Sequence, residues 1–456
     1  MLDLRYVVAH ADEIAHNVAH RHVAADVPGL VAAAEARSTA LVRLEEVRRV
    51  ANVVARQTGK PTLDAMALHA AVPEFLRSDL GMADPAEVRP TDRPWLVQVG
   101  KALKAMEPAL AAEVDRLQAA IESRARQLPN LTHPDVPRGA SDEDHRVLRE
   151  VGVRRDFATE GFAPLDHVQL AEKLGLIDFE AGAKVAGQKF YFLQRELVLL
   201  DLALQRFAID LLVQRGFTPM VTPDLARPDI LEGIGFNPRG SETQVYSVAG
   251  HDLCLVGTAE ITIGGMLADT ILEAEQLPIR IAGISHCFRT EAGAAGRESR
   301  GLYRVHQFTK VEMFVFCQGD LAQSEAHHAE LVAIEEELFT ALEVPYRVLD
   351  ICAGDLGAPA YRKFDLEAWM PGRGAWGEIT STSNCTDFQA RRLQIRARPE
   401  PGAKPKLVHT LNGTAIALSR GLIAVLENHQ QADGSIAMPK ALRPYLPFDR
   451  IGPRHT

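Results

Sequence analysis

FRTEAGAAGRESRGLYRVHQFTKVEMF, residues 288–314, decides the fold. Two strand-like runs flank a Gly- and Arg-containing loop, which is the pattern of a β-hairpin. Arg289 and Glu291 stand two apart, so on a strand they share one face. On the returning strand Arg304, His306, Phe308, Lys310 and Glu312 share a face, and Val305, Val311 and Met313 lie opposite. A solvated sheet face is the plain reading. The functional reading is a floor for a ligand bearing phosphate and an aromatic ring. Arginines would hold phosphate or carboxylate, Phe308 would stack, and glutamates would take an amine or a metal.

Outward from the hairpin, strand-like runs crowd together: PMVTP, DLCLVGT, YRVLDI, GEITSTS and LVHTLNGTAIAL. They are too close for regular βαβ spacing, so an α+β fold is expected, an antiparallel sheet flanked by helices. The N-terminal part differs. Leu41, Leu44, Val47, Ala51 and Val54 recur at helical spacing, as do Leu103, Met106, Leu110, Val114, Leu117 and Ile121. Two narrow apolar stripes can bury each other, which predicts an antiparallel helical hairpin or coiled coil over 1–128. Pro108 should kink the second helix or mark its start. A Pro-, Asp- and Arg-containing insert at about 61–97 breaks the heptads and should sit near the hairpin tip. LPNLTHPDVPRGASDED (128–144) opens a linker over 129–165, and the sheet domain should occupy 166–456.

The chain has 456 residues, 46% hydrophobic and 24% charged, with a net charge of −10. That excludes a generally basic nucleic-acid coat protein but leaves room for a local basic surface. Five scattered cysteines without a CxxC signal neither a disulfide framework nor a Cys-based zinc site. No uncharged apolar run reaches the ~18 residues of a membrane span. The start carries acids and no cleavable apolar segment, so the expected compartment is the cytoplasm.

The 288–314 stretch resembles motif 2 of a class II aminoacyl-tRNA synthetase, specifically of the seryl-tRNA synthetase family, bacterial or mitochondrial in type. GFTPMVTP (216–223) is similar to motif 1 and CLVGTAE (254–260) to the family's TxE loop. GEITSTSNCTDFQARR (377–392) resembles its ATP and metal segment, and LNGTAIALSRGLIAVLENHQQADGSIAMPKALRPYL (411–446) resembles motif 3 and its tail. The match is dense over about 129–447, looser over 1–60 and 100–128, and absent over 61–97.

The resemblance implies a serine–tRNA ligase. Serine carboxylate would attack the α-phosphate of ATP, and the seryl group would then pass to the 3′ end of tRNA(Ser); the family usually serves tRNA(Sec) as well. No enzyme nucleophile is needed, because positioning and charge neutralisation suffice. By resemblance, Arg289 bridges the α-phosphate and the serine carboxylate. Glu291, beside Thr290, holds the adenine amine, Phe308 stacks on adenine, and Arg304 and Arg420 take the outer phosphates. Glu378 and Ser381, in a segment with Ile379 and Thr380, would hold Mg2+. Thr258 and Glu260, expected to share one strand face, resemble the clamp for the serine ammonium. Glu312, with Thr414 and Asn412, resembles the reader of its hydroxyl. Motif 1 implies a homodimer. Arg37, Arg43, Arg48, Arg49 and Arg56 would track the tRNA backbone from the first arm helix.

Strand parity leaves two points open. Gly413, Ala415, Ala417 and Ser419 form one small face, but Asn412 and Thr414 have the other parity. Glu378 shares a face with Thr380 and not with Ser381, unless a bulge or strand end intervenes. Thr258 and Glu260 alone fit a helix cap or turn. Gly372-Arg-Gly-Ala-Trp-Gly377 fits GxGxxG but lacks a following helix. AHHAELVAIEEELF (326–339) reads as a solvated helix rather than a metal site. Two competing functions are an amino acid:carrier-protein ligase and a non-catalytic tRNA-binding paralogue. The helical arm argues against the first, and the surviving Arg289, Arg304 and Arg420 argue against the second.

Overall fold

The computed structural model describes residues 1–60, 62, 64–80, 93–236, 244–291 and 300–452. The expected hairpin loop at 292–299 and residues 81–92 of the insert lie outside them. The chain divides into two compact units. One comprises residues 2–19 and 24–128, and the other residues 1, 20–23 and 129–456.

The first unit is the expected antiparallel helical hairpin. Helix Val27–Thr58 is capped by the Asp26 carboxylate and started by Pro28. It lies against helix Arg93–Gln127, with Ala40 and Leu44 meeting Val114 and Leu117. Arg124 near the end of the second helix pairs with Asp26 at 3.1 Å. Nearer the tip, Val47, Val50 and Val54 pack with Leu96, Val99 and Leu103. The insert contributes to the same core. Its short helices Ala65–Ala71 and Glu74–Asp79 bring in Leu68 and Leu76, followed by Val72 and Leu80 at their ends. Pro108 starts no helix; Arg93–Gln127 runs through it.

The second unit is built on eight strands: β1 (Arg146–Val151), β2 (Thr218–Val221), β3 (Ile279–Phe288), β4 (Gln307–Cys317), β5 (Tyr346–Asp350), β6 (Arg362–Met370), β7 (Ala375–Thr386) and β8 (His409–Ala417). Their order across the sheet is β1-β5-β6-β7-β8-β4-β3-β2. Every pair is antiparallel except β2–β3 at one edge. The stretch read as a linker therefore carries the other edge strand. β1 pairs with β5 as part of the sheet, because Arg146 can reach the fully buried Asp350 there, at 2.5 Å.

One sheet face packs Val311, Met313, Val315 and Leu366 against long helices, among them Glu196–Gln214, Leu321–Ala341 and Leu418–Asn428. On the other face Phe314, Phe316 and Ile281 pack with the short helices Pro228–Ile234, Ala259–Met266 and Phe388–Leu393. These short helices leave the middle of that face open.

The charged hairpin exists, but its strands are shorter than the alternation suggested. β3 ends at Phe288 and β4 begins at Gln307. Arg289, Glu291, Arg304 and His306 therefore lie on the connecting segments, and Glu291 has φ +47°. His306 leaves the charged face. Its Nδ1 lies 2.9 Å from Arg289 O, and its ring packs near Phe190 and Tyr246.

Candidate active site

A cavity of about 500 Å³ opens on the uncovered face, over β4, β7 and β8. Its polar residues form two groups.

The first group centres on Glu378. Arg420, at the start of helix Leu418–Asn428, pairs with its carboxylate at 3.2 Å and with its carbonyl at 3.1 Å. The Arg420 guanidinium also lies 4.7 Å from the Tyr303 ring centroid. Burial works against the Glu378 charge, but Arg420, Lys363 and Arg289 outweigh it and hold the carboxyl down at about 2. Lys363 on β6 pairs with Asp365 at 3.1 Å. Burial works against its ammonium too, yet Asp365, Glu378 and Asp355 hold it charged, above its ordinary value. Arg289 stands 5.5 Å from the Phe308 ring centroid, and Arg304 lies 3.6 Å from Glu291.

The second group centres on Glu260. Thr258 is the N-cap of helix Ala259–Met266, and its hydroxyl accepts the Glu260 N–H at 3.2 Å. The two residues thus meet through a helix cap, not through a shared strand face. Glu260 Oε1 accepts from Gln389 at 2.7 Å and from Asn412 at 2.6 Å. Burial, and then the charge of Glu312, push the Glu260 carboxyl up to about 7. Lys310 forms a buried ion pair with Glu312, and Thr414 stands opposite Glu312 with its hydroxyl 3.5 Å from the carboxylate. Asn412 therefore belongs with Glu260, whereas Thr414 belongs with Glu312.

Two bulges resolve the parity questions. Between β6 and β7, Leu366 faces Thr380 while Glu367 faces Glu378, so Ile379 is an extra residue. Glu378 and Ser381 consequently both point to the cavity side. Between β8 and β4, Thr414 faces Glu312 while Ile416 faces Val311, so Ala415 is extra. Ala417 then joins Asn412 and Thr414 along the cavity. The expected small face divides: Gly413 stays on the helix side, and Ala417 and Ser419 line the cavity. Of the expected nucleotide residues, Thr290 stands apart, bonded to Gln244. Thr380 turns its hydroxyl through the sheet to the far face.

Residues 244–429 match the model of the tRNA synthetase class II core domain (G, H, P, S and T). The chain is 51% identical to a serine–tRNA ligase of Rubrobacter xylanophilus over 453 residues, covering 99% of both chains. It is also 51% identical to that of Rhodopirellula baltica, covering 98% of this chain and 99% of the relative. The crystal structure of seryl-tRNA synthetase from Pyrococcus horikoshii complexed with ATP superposes with a TM-score of 0.87 at 37% identity, covering 100% of both chains. The chain belongs to the serine–tRNA ligase family. It is an aminoacyl-tRNA synthetase.

Sequence reasoning missed several residues of this synthetase site. Gln389 lies inside the 377–392 segment and Lys363 ahead of it, and nothing in their spacing sets them apart. AHHAELVAIEEELF was misread as a solvated helix. His328 and Glu335 are buried against the back of β7. The His328 Nε2 lies 3.0 Å from Thr382 O, and burial pushes its ring down to about 4, so the neutral ring donates that bond. Glu335 receives the Thr380 hydroxyl at 2.9 Å and also bonds the Thr382 hydroxyl. Burial raises Glu335 well above the usual carboxylate range, against the two threonine hydroxyls, which pull it down.

Ser381 sits between these two threonines. Glu335→Ala should cost about 2–5 kcal/mol by opening a cavity and leaving hydroxyls unpaired. Glu335→Gln, of similar shape and hydrogen-bonding reach, should keep most of the stability. Urea unfolding of both variants checks this, and equal losses would count against the hydroxyl clamp.

Proposed function

We propose that this cavity carries out serine–tRNA ligation in two steps. L-Serine and ATP give seryl-adenylate and pyrophosphate, and the seryl group then passes to the 3′ end of tRNA(Ser). One observation carries the reading. A single cavity holds a group of cations and an aromatic ring fit for a nucleotide, beside an acidic group fit for an ammonium and a hydroxyl.

In this reading Arg289 neutralises the α-phosphate and the attacking carboxylate, so the developing charge meets a donor already in place. Phe308 and Glu291 receive adenine, and Arg304 and Arg420 receive the outer phosphates. Glu260, ionised on meeting the serine ammonium, holds it with the carbonyl and hydroxyl oxygens around Thr258. Glu312 and Thr414 read the hydroxyl. Glu312 is already oriented by Lys310, so an amino acid lacking the hydroxyl would leave buried polar groups unpaired. The oxygen donors of Glu378 and Ser381, brought to one face by the Ile379 bulge between them, fit Mg2+. Bound there, Mg2+ would neutralise phosphate charge.

Two further features support the family's assembly. Leu202 and Val213 on helix Glu196–Gln214 and Val221 on β2 are 55%, 47% and 80% exposed, a face suited to a homodimer contact. On the first arm helix, Arg43 pairs with Asp79, Arg48 with Glu107 and Arg49 with Glu46. Among the described residues Arg37 and Arg56 make no ion pair, which favours them as phosphate contacts.

ATP–pyrophosphate exchange should proceed with serine and not with threonine, alanine, glycine or cysteine. Arg289→Ala should lower it at least ~10²-fold, the usual worth of one preorganised donor. No exchange with any of the five from folded protein would instead favour a non-catalytic RNA-binding paralogue.

Serine binding should also depend on pH. Glu260 titrates at about 7 and must be ionised to hold an ammonium. Below that pH its proton must first be displaced, so the KM for serine should climb by up to about tenfold per pH unit. Glu260→Gln should flatten the profile, and a flat wild-type profile between pH 5.5 and 7 would contradict the assignment.

Replacing Arg37 or Arg56 by Ala should weaken tRNA binding and reduce its salt slope by about one each, leaving exchange unchanged. Arg43, Arg48 and Arg49 should matter less. Filter binding across a salt series tests the difference, and a loss of exchange would make the arm a folding element.

A further inference from the structure

One wall of the cavity is a short loop, Leu356–Ala360, whose residues 357–360 line it. LGAPA offers no polar side chain by which it could be held. Its five successive carbonyls are held instead, all by two residues distant in sequence. Arg21 donates from Nη1 to Ala360 O at 2.8 Å, and from Nη2 to Leu356 O at 3.0 Å and Gly357 O at 2.6 Å. The Asn130 main-chain N–H donates to Ala358 O at 2.8 Å, and its Nδ2 to Pro359 O at 2.9 Å. The two holders are themselves joined, Arg21 Nη1 to Asn130 O at 3.3 Å. Asn130 Nδ2 also reaches Cys385 O, at the end of β7, at 2.9 Å.

This arrangement is costly. Arg21 and Asn130 are each only 2% exposed, and among the described residues no carboxylate pairs with the guanidinium. Burial lowers Arg21 to about 10, which still leaves it charged at neutral pH. A guanidinium buried without a counter-ion is tolerated only when most of its donors are satisfied; here carbonyl oxygens take four bonds from the two Nη atoms, while Nε has no partner among the described residues. The loop and the Glu260 group line the same cavity: Gly357, Ala358, Pro359 and Ala360 share its lining with Glu260, Asn412 and Cys385.

We propose that Arg21 and Asn130 are positioning residues for the amino-acid pocket, holding every carbonyl of Leu356–Ala360 so that this loop is a fixed wall against the bound serine. The inference rests on the serine reading of the cavity. Its physical basis is that a pocket built on small residues excludes an extra methyl only if its wall cannot yield, since a methyl is worth only about 10–200-fold in discrimination. Both holders flank the arm in sequence, Arg21 just before helix Val27–Thr58 and Asn130 just after helix Arg93–Gln127. The wall is therefore fastened by the two segments from which the arm departs.

The test is ATP–pyrophosphate exchange by the full chain and its Arg21→Lys and Asn130→Ala variants, with thermal unfolding measured alongside. A lysine keeps the charge but cannot fork across three loop carbonyls. The KM for serine should rise about tenfold or more, while the KM for ATP stays within about twofold. The ratio of threonine to serine exchange should rise as well. If Arg21→Lys does not fold, Asn130→Ala decides by the same split. Folded variants with an unchanged serine KM and threonine ratio would overturn the proposal, as would equal rises in both KM values. Absence of serine exchange in the wild type would overturn the reading beneath it instead.

Discussion

A β-strand has two faces, and in the middle of this sheet one of them is committed to helices. Val311, Met313 and Leu366 must stay against that layer, because their burial holds the sheet to its long helices. Every group that meets a ligand must therefore come from the other face or from a segment beyond a strand end. Strict alternation would place Glu378 and Ser381 on opposite sides, and would separate Ala417 from Asn412 and Thr414. The extra residues Ile379 and Ala415 each shift the alternation by one, within β7 and near the end of β8. Upstream and downstream of each bulge the apolar residues still face the helices. The bulges thus let a packed strand present two ligand-facing groups that its period forbids.

The second constraint is charge. The cavity gathers carboxylates and cations in a setting that hydrates them poorly, and burial opposes every one of them. The two groups answer it differently. Glu378 has three cations nearby, which keep it ionised. Glu260 has amide donors, a neighbouring carboxylate and a weaker cationic influence, so its proton comes off only near neutrality. The same residue type thus carries different charge in the two halves of one cavity. In the free protein Glu260 is therefore only partly charged near neutrality.

How far the sequence disclosed this depends on the range of the interaction. Residues in alternation on one strand were legible. Phe308, Lys310 and Glu312 share a face as their spacing predicts, and the arm helices pair through the stripes that mark them. Residues at strand ends were half legible: Arg289, Glu291 and Arg304 reach the cavity, but from connecting segments, where period two no longer governs direction. At TAE a shared strand face was expected and a helix cap, which its residue types also fit, is what forms, while its place beside Asn412 depends on contacts more than a hundred residues apart. His328 and Glu335 were misjudged because a helix rich in acids and histidine is usually solvated. Their burial follows from the hydroxyl and carbonyl groups of β7 opposite them, which no helical period can reveal. Asn130 was hidden in a Pro-rich stretch that looks like a tether.

The residues that escaped notice share one physical task. Apolar packing resists separation but tolerates small slides, whereas a buried hydrogen bond fails once its partners move by an ångström or so. Thr380 and Thr382 are both held from behind by Glu335. A one-residue slip of β7 would turn them toward the cavity and Ser381 toward the core. Leu356–Ala360 likewise has only backbone to grip, and Arg21 and Asn130 grip it. In both places a polar group is buried at some cost in stability where hydrophobic contact alone would leave the site free to drift. Neither support touches the cavity contents. That makes such residues invisible to a search for chemically suitable side chains, and it explains why the groups that do touch ligand can be so few.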